Sequence, residues 1–328
     1  MNRTRLVTFC VILLGLGAGC GHMAPASIPQ ACRSGAADIE RQITTTIGDE
    51  VKGGFSGAVL VAQGECVLVD DVYGSLNGKR VSPQDRYLIA SMAKQFTSTS
   101  LLVLQERGLV DLDDPISRYL TDVPADKREI TIRQLLSHSS GLPSGYYDSE
   151  SATSWQEAAR VILKLPLSAA PGEKFQYSSE NYQLGVALME ARSGRRYPEF
   201  VHKELLVPVG LHDTGQLEGP ASVAKLSPTI EPLPPRMLNI RWGGWGYYST
   251  TRDLYSWYRA IRSGKVLNRQ SVAELFQPLP KMGEGHATLG WFVGATASGE
   301  ERVLTRGNDE IGSVSVIYAY PRTDTVII

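Results

Sequence analysis

The sequence predicts a mixed α/β fold of the α+β type: an antiparallel sheet built from both chain ends, flanked by helices, with a mainly helical segment inserted between its two parts. Three observations carry that prediction. Strand-like runs precede residue 90, others follow residue 288, and the stretch between them is dominated by helical periodicity. Strands at both ends with helices between imply one sheet to which both termini contribute.

The elements follow in order. Residues 21–33, rich in Ala, Pro, Ser and Gly, read as a tether, and a helix is expected near 34–48. Phe55-Ser56-Gly57-Ala58-Val59-Leu60-Val61-Ala62 and Cys66-Val67-Leu68-Val69 form a hairpin pattern around Gln63-Gly64-Glu65. Tyr87-Leu88-Ile89-Ala90 is an apolar, strand-like run, after which a helix starts at Ser91 and ends at Gly108. Asp114-Pro115 is expected to open the next helix as N-cap and first-turn proline. Thr131-Ile132-Arg133-Gln134 reads as a capping box. Helices are expected near 153–164, 180–193 and 197–206, an irregular Pro-rich excursion over 214–240, and a helix again near 251–263. The end alternates toward strands at 289–293, 302–304, 313–318 and 325–328.

At 328 residues, 42% hydrophobic and 20% charged, the chain has ample material for a core, and disorder is excluded for its bulk. A net charge of −1 without a block of like charges leaves no electrostatic footprint for nucleic acid, so the expected partner is a small molecule or a peptide. The five histidines are scattered and no Cys/His cluster has ligand spacing, so neither a metal nor another cofactor is expected.

The N-terminus places Arg3 and Arg5 before an apolar run from Leu6 to Leu16 and then Gly17-Ala18-Gly19-Cys20. A basic start, a short apolar segment and small residues make residues 1–19 an export signal, too short to span a bilayer as a permanent helix. Cleavage before Cys20 gives a lipid-modified cysteine and a membrane anchor, although Gly17 stands where such signals usually carry Leu. Cleavage near Ala24 or Ala26 instead releases a soluble periplasmic or secreted protein. Cys32 and Cys66 either pair in that oxidising compartment or stay as buried thiols, and spacing does not decide between them.

The chemistry concentrates at Ser91-Met92-Ala93-Lys94. Residues three apart share one helix face, and Lys94 is the only charged side chain between Arg86 and Glu106. An ammonium pulled out of water loses its proton more readily, and lysines so tuned reach ~7–8, where they can accept a proton from a neighbouring hydroxyl. That is one way a serine nucleophile is activated. The spacing alone is weak, since ordinary Ser and Lys usage gives about one chance match in a chain of this length. Ser222-Val223-Ala224-Lys225 is such a match, but it lies between Pro220 and Pro228, where no long helix can form. The competing reading of Ser91 as a helix cap and Lys94 as a surface cation fits the apolar surroundings less well.

With these residues in place the chain resembles the serine penicillin-recognising family that includes class C β-lactamases, D-Ala-D-Ala carboxypeptidases and related esterases, over about residues 34–328. The resemblance rests on Ser91 to Lys94 and on Leu135-Leu136-Ser137-His138-Ser139-Ser140-Gly141-Leu142-Pro143, a largely structural signature. It rests also on Pro171-Gly172 with Phe175-Gln176-Tyr177-Ser178, on Pro208-Val209-Gly210-Leu211, and on Gly243-Gly244 through Leu254. It implies a β-lactamase/transpeptidase-like fold with sheet parts at about 34–90 and 241–328 and a helical part at about 91–240. It further implies Ser91 as acyl-accepting nucleophile, with Lys94 and Tyr177 as proton-transfer groups, and leaves open which of these two is the base.

Two departures from the family pattern stand out. The second motif commonly reads Tyr-x-Asn, whereas here Tyr177-Ser178-Ser179 puts a short hydroxyl where an amide would meet the substrate. In the third motif Arg306-Gly307-Asn308, with Gly312, keeps a cation able to hold a substrate carboxylate but places Asn308 where a glycine lets the backbone come close. In that frame the backbone N–H groups of Ser91 and Asp309 form the oxyanion hole. The family usually continues beyond a strand like the one ending at Ile328, through a further short segment and a closing helix, so either the sequence is truncated or its sheet edge there is unusually bare. The intact Ser91, Lys94 and Tyr177 favour an exported serine hydrolase, and Ser179 with Arg306-Gly307-Asn308 favours an esterase or peptidase over an efficient β-lactamase. The altered motifs favour a non-catalytic cell-wall-binding lipoprotein of the same fold.

Overall fold

The computed structural model describes residues 36–328 apart from 77, 83, 146–151, 153, 219–225, 228–242 and 309–312. The leader, the tether, Cys20, Cys32, the Ser222 to Lys225 match and Asp309 therefore lie outside the described residues. Cys66 is disulfide-bonded, and the chain's three other cysteines are all among the residues not described.

The strands are β1 (Gly57–Gln63), β2 (Cys66–Tyr73), β3 (Ser75–Leu76), β4 (Lys79–Arg80), β5 (Tyr87–Leu88), β6 (Gly215–Gln216) and β7 (Tyr247–Ser249), then β8 (Lys281–Met282), β9 (Gly285–Ala287), β10 (Phe292–Ala295), β11 (Glu301–Asn308), β12 (Val314–Tyr320) and β13 (Thr325–Ile327). Eight of them form one antiparallel sheet in the order β2-β1-β13-β12-β11-β10-β9-β8. The two ends of the chain meet inside it: Ile327 pairs with Val61 on one side and Tyr318 on the other. Leu60 and Ile328 exchange both backbone hydrogen bonds, at 2.9 and 2.8 Å. The last strand is thus an interior strand with both rows of backbone groups paired, and the bare edge expected there is not found. The edges are β2 and β8.

Successive residues of a strand face opposite sides, and the sheet uses both. One face packs on α1 (Ala36–Lys52) through Ile47, Val59, Val61, Val69, Tyr320 and Ile327. Val303, Ile317 and Ala319 face the larger core, whose centre is α2 (Lys94–Glu106). Every residue of α2 from Lys94 to Leu104 is buried. Phe96, Leu101, Leu102 and Leu104 are wholly covered, each worth ~1.5–3 kcal/mol relative to an exposed side chain. A helix enclosed on all sides has no wet face, so its polar residues must find partners inside. Thr97 donates to the Gly243 carbonyl at 2.7 Å, Ser100 to its own Phe96 carbonyl at 2.8 Å, and Gln95 accepts from the Trp257 indole at 2.7 Å.

The capping box forms as the sequence predicts. Thr131 Oγ1 accepts the Gln134 N–H at 3.1 Å and Gln134 Oε1 accepts the Thr131 N–H at 3.0 Å, opening α3 (Ile132–Leu136). Thr131→Ala is expected to cost ~1 kcal/mol of stability, read as a lowered urea midpoint at unchanged slope. Then come α4 (Trp155–Leu163) and α5 (Glu180–Ser193), both where helices are expected.

Asp114-Pro115 behaves differently. Only a 3₁₀ turn, Ile116–Arg118, follows it, because the Asp114 carboxylate accepts from Arg118 at 2.7 Å and from the Tyr119 hydroxyl instead of capping. The expected helix over 197–206 divides into an α segment, Tyr197–Phe200, and a π turn, Val201–Leu206. The strand-like run at Tyr87-Leu88 is β5, whereas the helix Arg269–Leu275 and the β6 and β7 strands that pair beside β5 were not apparent in the pattern. All three are too short to show a period.

Candidate active site

Ser91 sits where a strand becomes a helix. β5 pairs with β7, the Ile89 N–H donates to the Tyr247 carbonyl at 3.0 Å, and a 3₁₀ turn, Ala90–Ala93, leads directly into α2. Ala90 takes φ +42°, the left-handed region that costs an L-residue of order 1–3 kcal/mol and persists only where the surroundings enforce it. The neighbour that enforces it is β11. A Cβ on Gly307 would lie 2.2 Å from the Ile89 carbonyl oxygen and 2.8 Å from the Ser91 nitrogen, so β11 runs in backbone contact with the turn. In a 3₁₀ turn residues i and i+3 eclipse. The turn therefore stacks the Ser91 and Lys94 side chains more directly than an α-helix would.

Lys94 is 3% exposed. Its Nζ donates to Ser91 Oγ at 3.3 Å and to the Gly244 carbonyl at 3.0 Å, and it lies 4.9 Å from the Tyr177 ring centre and 5.5 Å from that of Tyr182. Two carbonyl or hydroxyl acceptors and two aromatic faces replace the water it has lost. The Gly243-Gly244 pair makes this approach feasible: a Cβ on the first would lie 2.3 Å from Thr97 Oγ1, and one on the second 3.2 Å from Lys94 Nζ. Tyr177, in the loop before α5 and half-buried, donates to Ser91 Oγ at 2.7 Å. Ser91, Lys94 and Tyr177 thus converge on one oxygen.

His138, which the sequence offered only as part of a structural signature, lies beneath Tyr177. Its ring stacks on the phenol with centres 4.4 Å apart and planes 30° from parallel, and it also meets Tyr182 at 5.2 Å and Phe175 at 5.8 Å. Its Nδ1 accepts the Ser178 N–H at 3.2 Å, and its carbonyl accepts the Gln176 N–H at 2.7 Å. Burial, assisted by the nearby Lys94 charge, holds the imidazole well below its ordinary value, so it is neutral. With Nδ1 accepting, the ring proton is on Nε2. The adjacent Asn181 is wholly buried, its amide nitrogen 3.3 Å from the same Nδ1 and its oxygen accepting from Ser140 at 2.5 Å.

The two serines after Tyr177 do different things. Ser178 is buried, its Oγ donating to the Pro143 carbonyl at 2.8 Å and lying 2.8 Å from Glu180 Oε2. Burial raises the Glu180 carboxyl above its ordinary value, against the lowering effect of the Ser178 hydrogen bond. Ser179 occupies the N-cap of α5 yet makes no side-chain cap bond.

A cleft opens at these groups, walled by Thr288, Trp291, Phe292 and, from β11, Thr305 and Arg306. Arg306 is exposed on its rim and has no ion-pair partner among the described residues. Asn308, expected to intrude where a glycine is usual, points to solvent, and the close approach to the serine turn is made one residue earlier by Gly307. Asp309 falls outside the described residues. Among those described, no group of His, Cys, Asp and Glu has the arrangement of a metal site.

Comparison with known proteins bears on what this arrangement is. The chain is 31% identical over 180 residues to penicillin-binding protein 4* of Bacillus subtilis (strain 168), covering 52% of this chain and 39% of that one. It is 25% identical over 236 residues to the putative penicillin-binding protein PbpX of the same organism, covering 69% and 59%. The chain thus spans about half the length of the curated relatives it matches. Among solved structures, the octameric penicillin-binding protein homologue from Pyrococcus abyssi superposes with a TM-score of 0.75 at 20% identity, over 88% of this chain and 72% of that one. The D-amino acid amidase from Ochrobactrum anthropi SV3 does so with a TM-score of 0.70 at 21% identity, over 85% and 89%. At such identities the likeness speaks for the fold. The family model described as Beta-lactamase matches residues 39–328, which takes in both halves of the sheet and every residue of the cleft, and the chain belongs to that family.

Proposed function

We propose that the chain is an exported serine hydrolase that forms an acyl-enzyme at Ser91 and acts on ester or amide bonds. The observation that carries the reading is the convergence on Ser91 Oγ of Tyr177 Oη at 2.7 Å and the buried Lys94 Nζ at 3.3 Å. Ser91 Oγ attacks the carbonyl carbon of the substrate while its proton passes to Tyr177 Oη, which receives it as a phenolate held by the Lys94 cation. Tyr177, at the shorter distance, is the immediate proton partner. Lys94 supplies the cation that stabilises negative charge on either oxygen. The C–O or C–N bond then breaks, the leaving group takes the proton, and water repeats the sequence in reverse to release the acid. The Ser91 N–H is one donor to the oxyanion; Asp309, expected as the other, lies outside the described residues.

Substrate selection follows from the cleft. Arg306 on its rim, free of an ion pair among the described residues, suits a substrate carboxylate or another anionic group. The unspent Ser179 hydroxyl offers one short polar contact where an amide side chain would offer two. That favours esters and small or D-amino-acid peptides over efficient β-lactam turnover, in keeping with relatives named as penicillin-binding proteins and an amidase among the structural neighbours. Residues 1–19 direct export, ending either in a lipid anchor at Cys20 or in cleavage near Ala24 or Ala26 that releases the protein.

The test is mass spectrometry of the mature protein after exposure to a slowly deacylating penicillin. One adduct equal to the intact inhibitor is expected, on the peptide that carries Ser91. No adduct with that inhibitor or with activated esters supports a binding protein instead, and an adduct on another peptide moves the nucleophile elsewhere.

A further inference from the structure

We infer that His138 is a positioning residue that holds the Tyr177 phenol over Ser91. The inference rests on the proposed role of Tyr177 and adds a residue to which neither the family match nor the sequence motifs assign a part in the chemistry. Tyr177 lies in a loop, so no ladder of backbone hydrogen bonds sets its direction. One residue, 39 positions earlier in sequence, supplies the missing restraint three times over. Its carbonyl accepts the N–H before Tyr177, its Nδ1 accepts the N–H after it, and its ring covers the face of the phenol.

These contacts depend on each other. A backbone that presents both a carbonyl and a ring nitrogen to the same three-residue segment must turn sharply, and His138 does so at φ +58°, in the left-handed region. A β-carbon residue is costly there. The imidazole must also stay neutral, because a proton on Nδ1 would remove the acceptor facing the Ser178 N–H. A neutral imidazole can both stack on a phenol and accept a hydrogen bond at a ring nitrogen in its own plane. Phe175 and Tyr182 press on the same ring from other directions, and Asn181 is anchored by Ser140, so the imidazole cannot rotate to follow a displaced Tyr177.

The consequence is kinetic. A phenol free to swing would spend only part of its time within 2.7 Å of Ser91 Oγ, and a misplacement of about 1 Å at a reacting group can cost on the order of 10²-fold in rate. Ground-state binding at the Arg306 rim would be unaffected.

The experiment is a double-mutant cycle with His138→Asn and Tyr177→Phe, read as acylation by an activated aryl acetate with the competent serine counted by active-site titration. Asparagine keeps an acceptor near the Nδ1 position and tolerates the left-handed backbone. His138→Asn is expected to lower the acylation rate about 10-fold to 10²-fold with KM within about twofold. In the Tyr177→Phe background the same change should cost less than about twofold, because the group it positions is gone. A histidine that merely supports the fold would lower both backgrounds equally. Additive losses, a loss confined to KM, or no loss in His138→Asn overturn the inference while leaving the role of Tyr177 standing. If Tyr177→Phe itself acylates at the wild-type rate, the proposed role of Tyr177 falls, and the inference with it. If His138→Asn shows no cooperative unfolding transition, the cycle is run with His138→Gly, which adopts the left-handed backbone freely and removes both the stack and the acceptor, and the same coupling is required.

Discussion

Ser91→Ala is expected to abolish acyl transfer, with turnover of activated esters falling by about 10⁴–10⁶-fold and no covalent adduct with a penicillin. The oxygen on which Tyr177 and Lys94 converge is lost, while the 3₁₀ turn is held by backbone contacts that the hydroxyl does not enter, so the fold should persist. Lys94→Ala should be less complete, about 10²–10⁴-fold, because it removes proton-transfer and electrostatic help and leaves the attacking oxygen. It also leaves the Gly244 carbonyl without its donor. The pair is measured by stopped-flow acylation alongside thermal unfolding. Full labelling of Ser91→Ala would place the nucleophile elsewhere, and a Lys94→Ala protein as fast as wild type would remove lysine from the mechanism.

Gly307→Ala is expected to damage both stability and rate although the side chain it adds is a single methyl. That methyl would stand 2.2 Å from the Ile89 carbonyl oxygen, 2.8 Å from the Ser91 nitrogen and 3.0 Å from the Ala90 Cβ. Two of those neighbours are backbone and the third belongs to a residue already at positive φ, so none can step aside as a flexible side chain would. Either β11 lifts from the turn, at an overpacking cost of ~1–3 kcal/mol, or the turn yields and Ser91 moves. Displacement of the nucleophile by a fraction of an ångström to 1 Å should lower kcat/KM by about 10²-fold. Gly48→Ala is the control, since a Cβ there meets nothing within 4 Å and α1 gains helix propensity. A Gly307→Ala protein with wild-type kinetics and unfolding midpoint would show that β11 and the serine turn are not in contact in solution.

The site was legible in the sequence where it is local. Ser91 and Lys94 are three residues apart, and any helical turn puts them on one side. The burial of Lys94 could be anticipated from the absence of other charges around it, and the capping box at Thr131 is a matter of four adjacent residues. Tyr177 lies 86 residues from Ser91 and came from family resemblance, not from any spacing. His138 was visible only as part of a motif, because stacking and a ring-nitrogen hydrogen bond leave no periodic trace.

The sequence by itself determined the class of fold, the helices with a clear period, the meeting of both termini in one sheet and the pairing of the serine with the lysine. Each depends on interactions a few residues long or on the alternation of polar and apolar side chains. Only the tertiary structure decided that the final strand is interior, that Gly307 and not the next position carries the close approach, that Ser178 turns inward while Ser179 stays unspent, and that an imidazole grips the tyrosine loop. Those outcomes come from atoms brought within 2–4 Å by packing distant segments, and in a chain that folds around buried helices such as α2 and α5 those distances are set by the whole core at once.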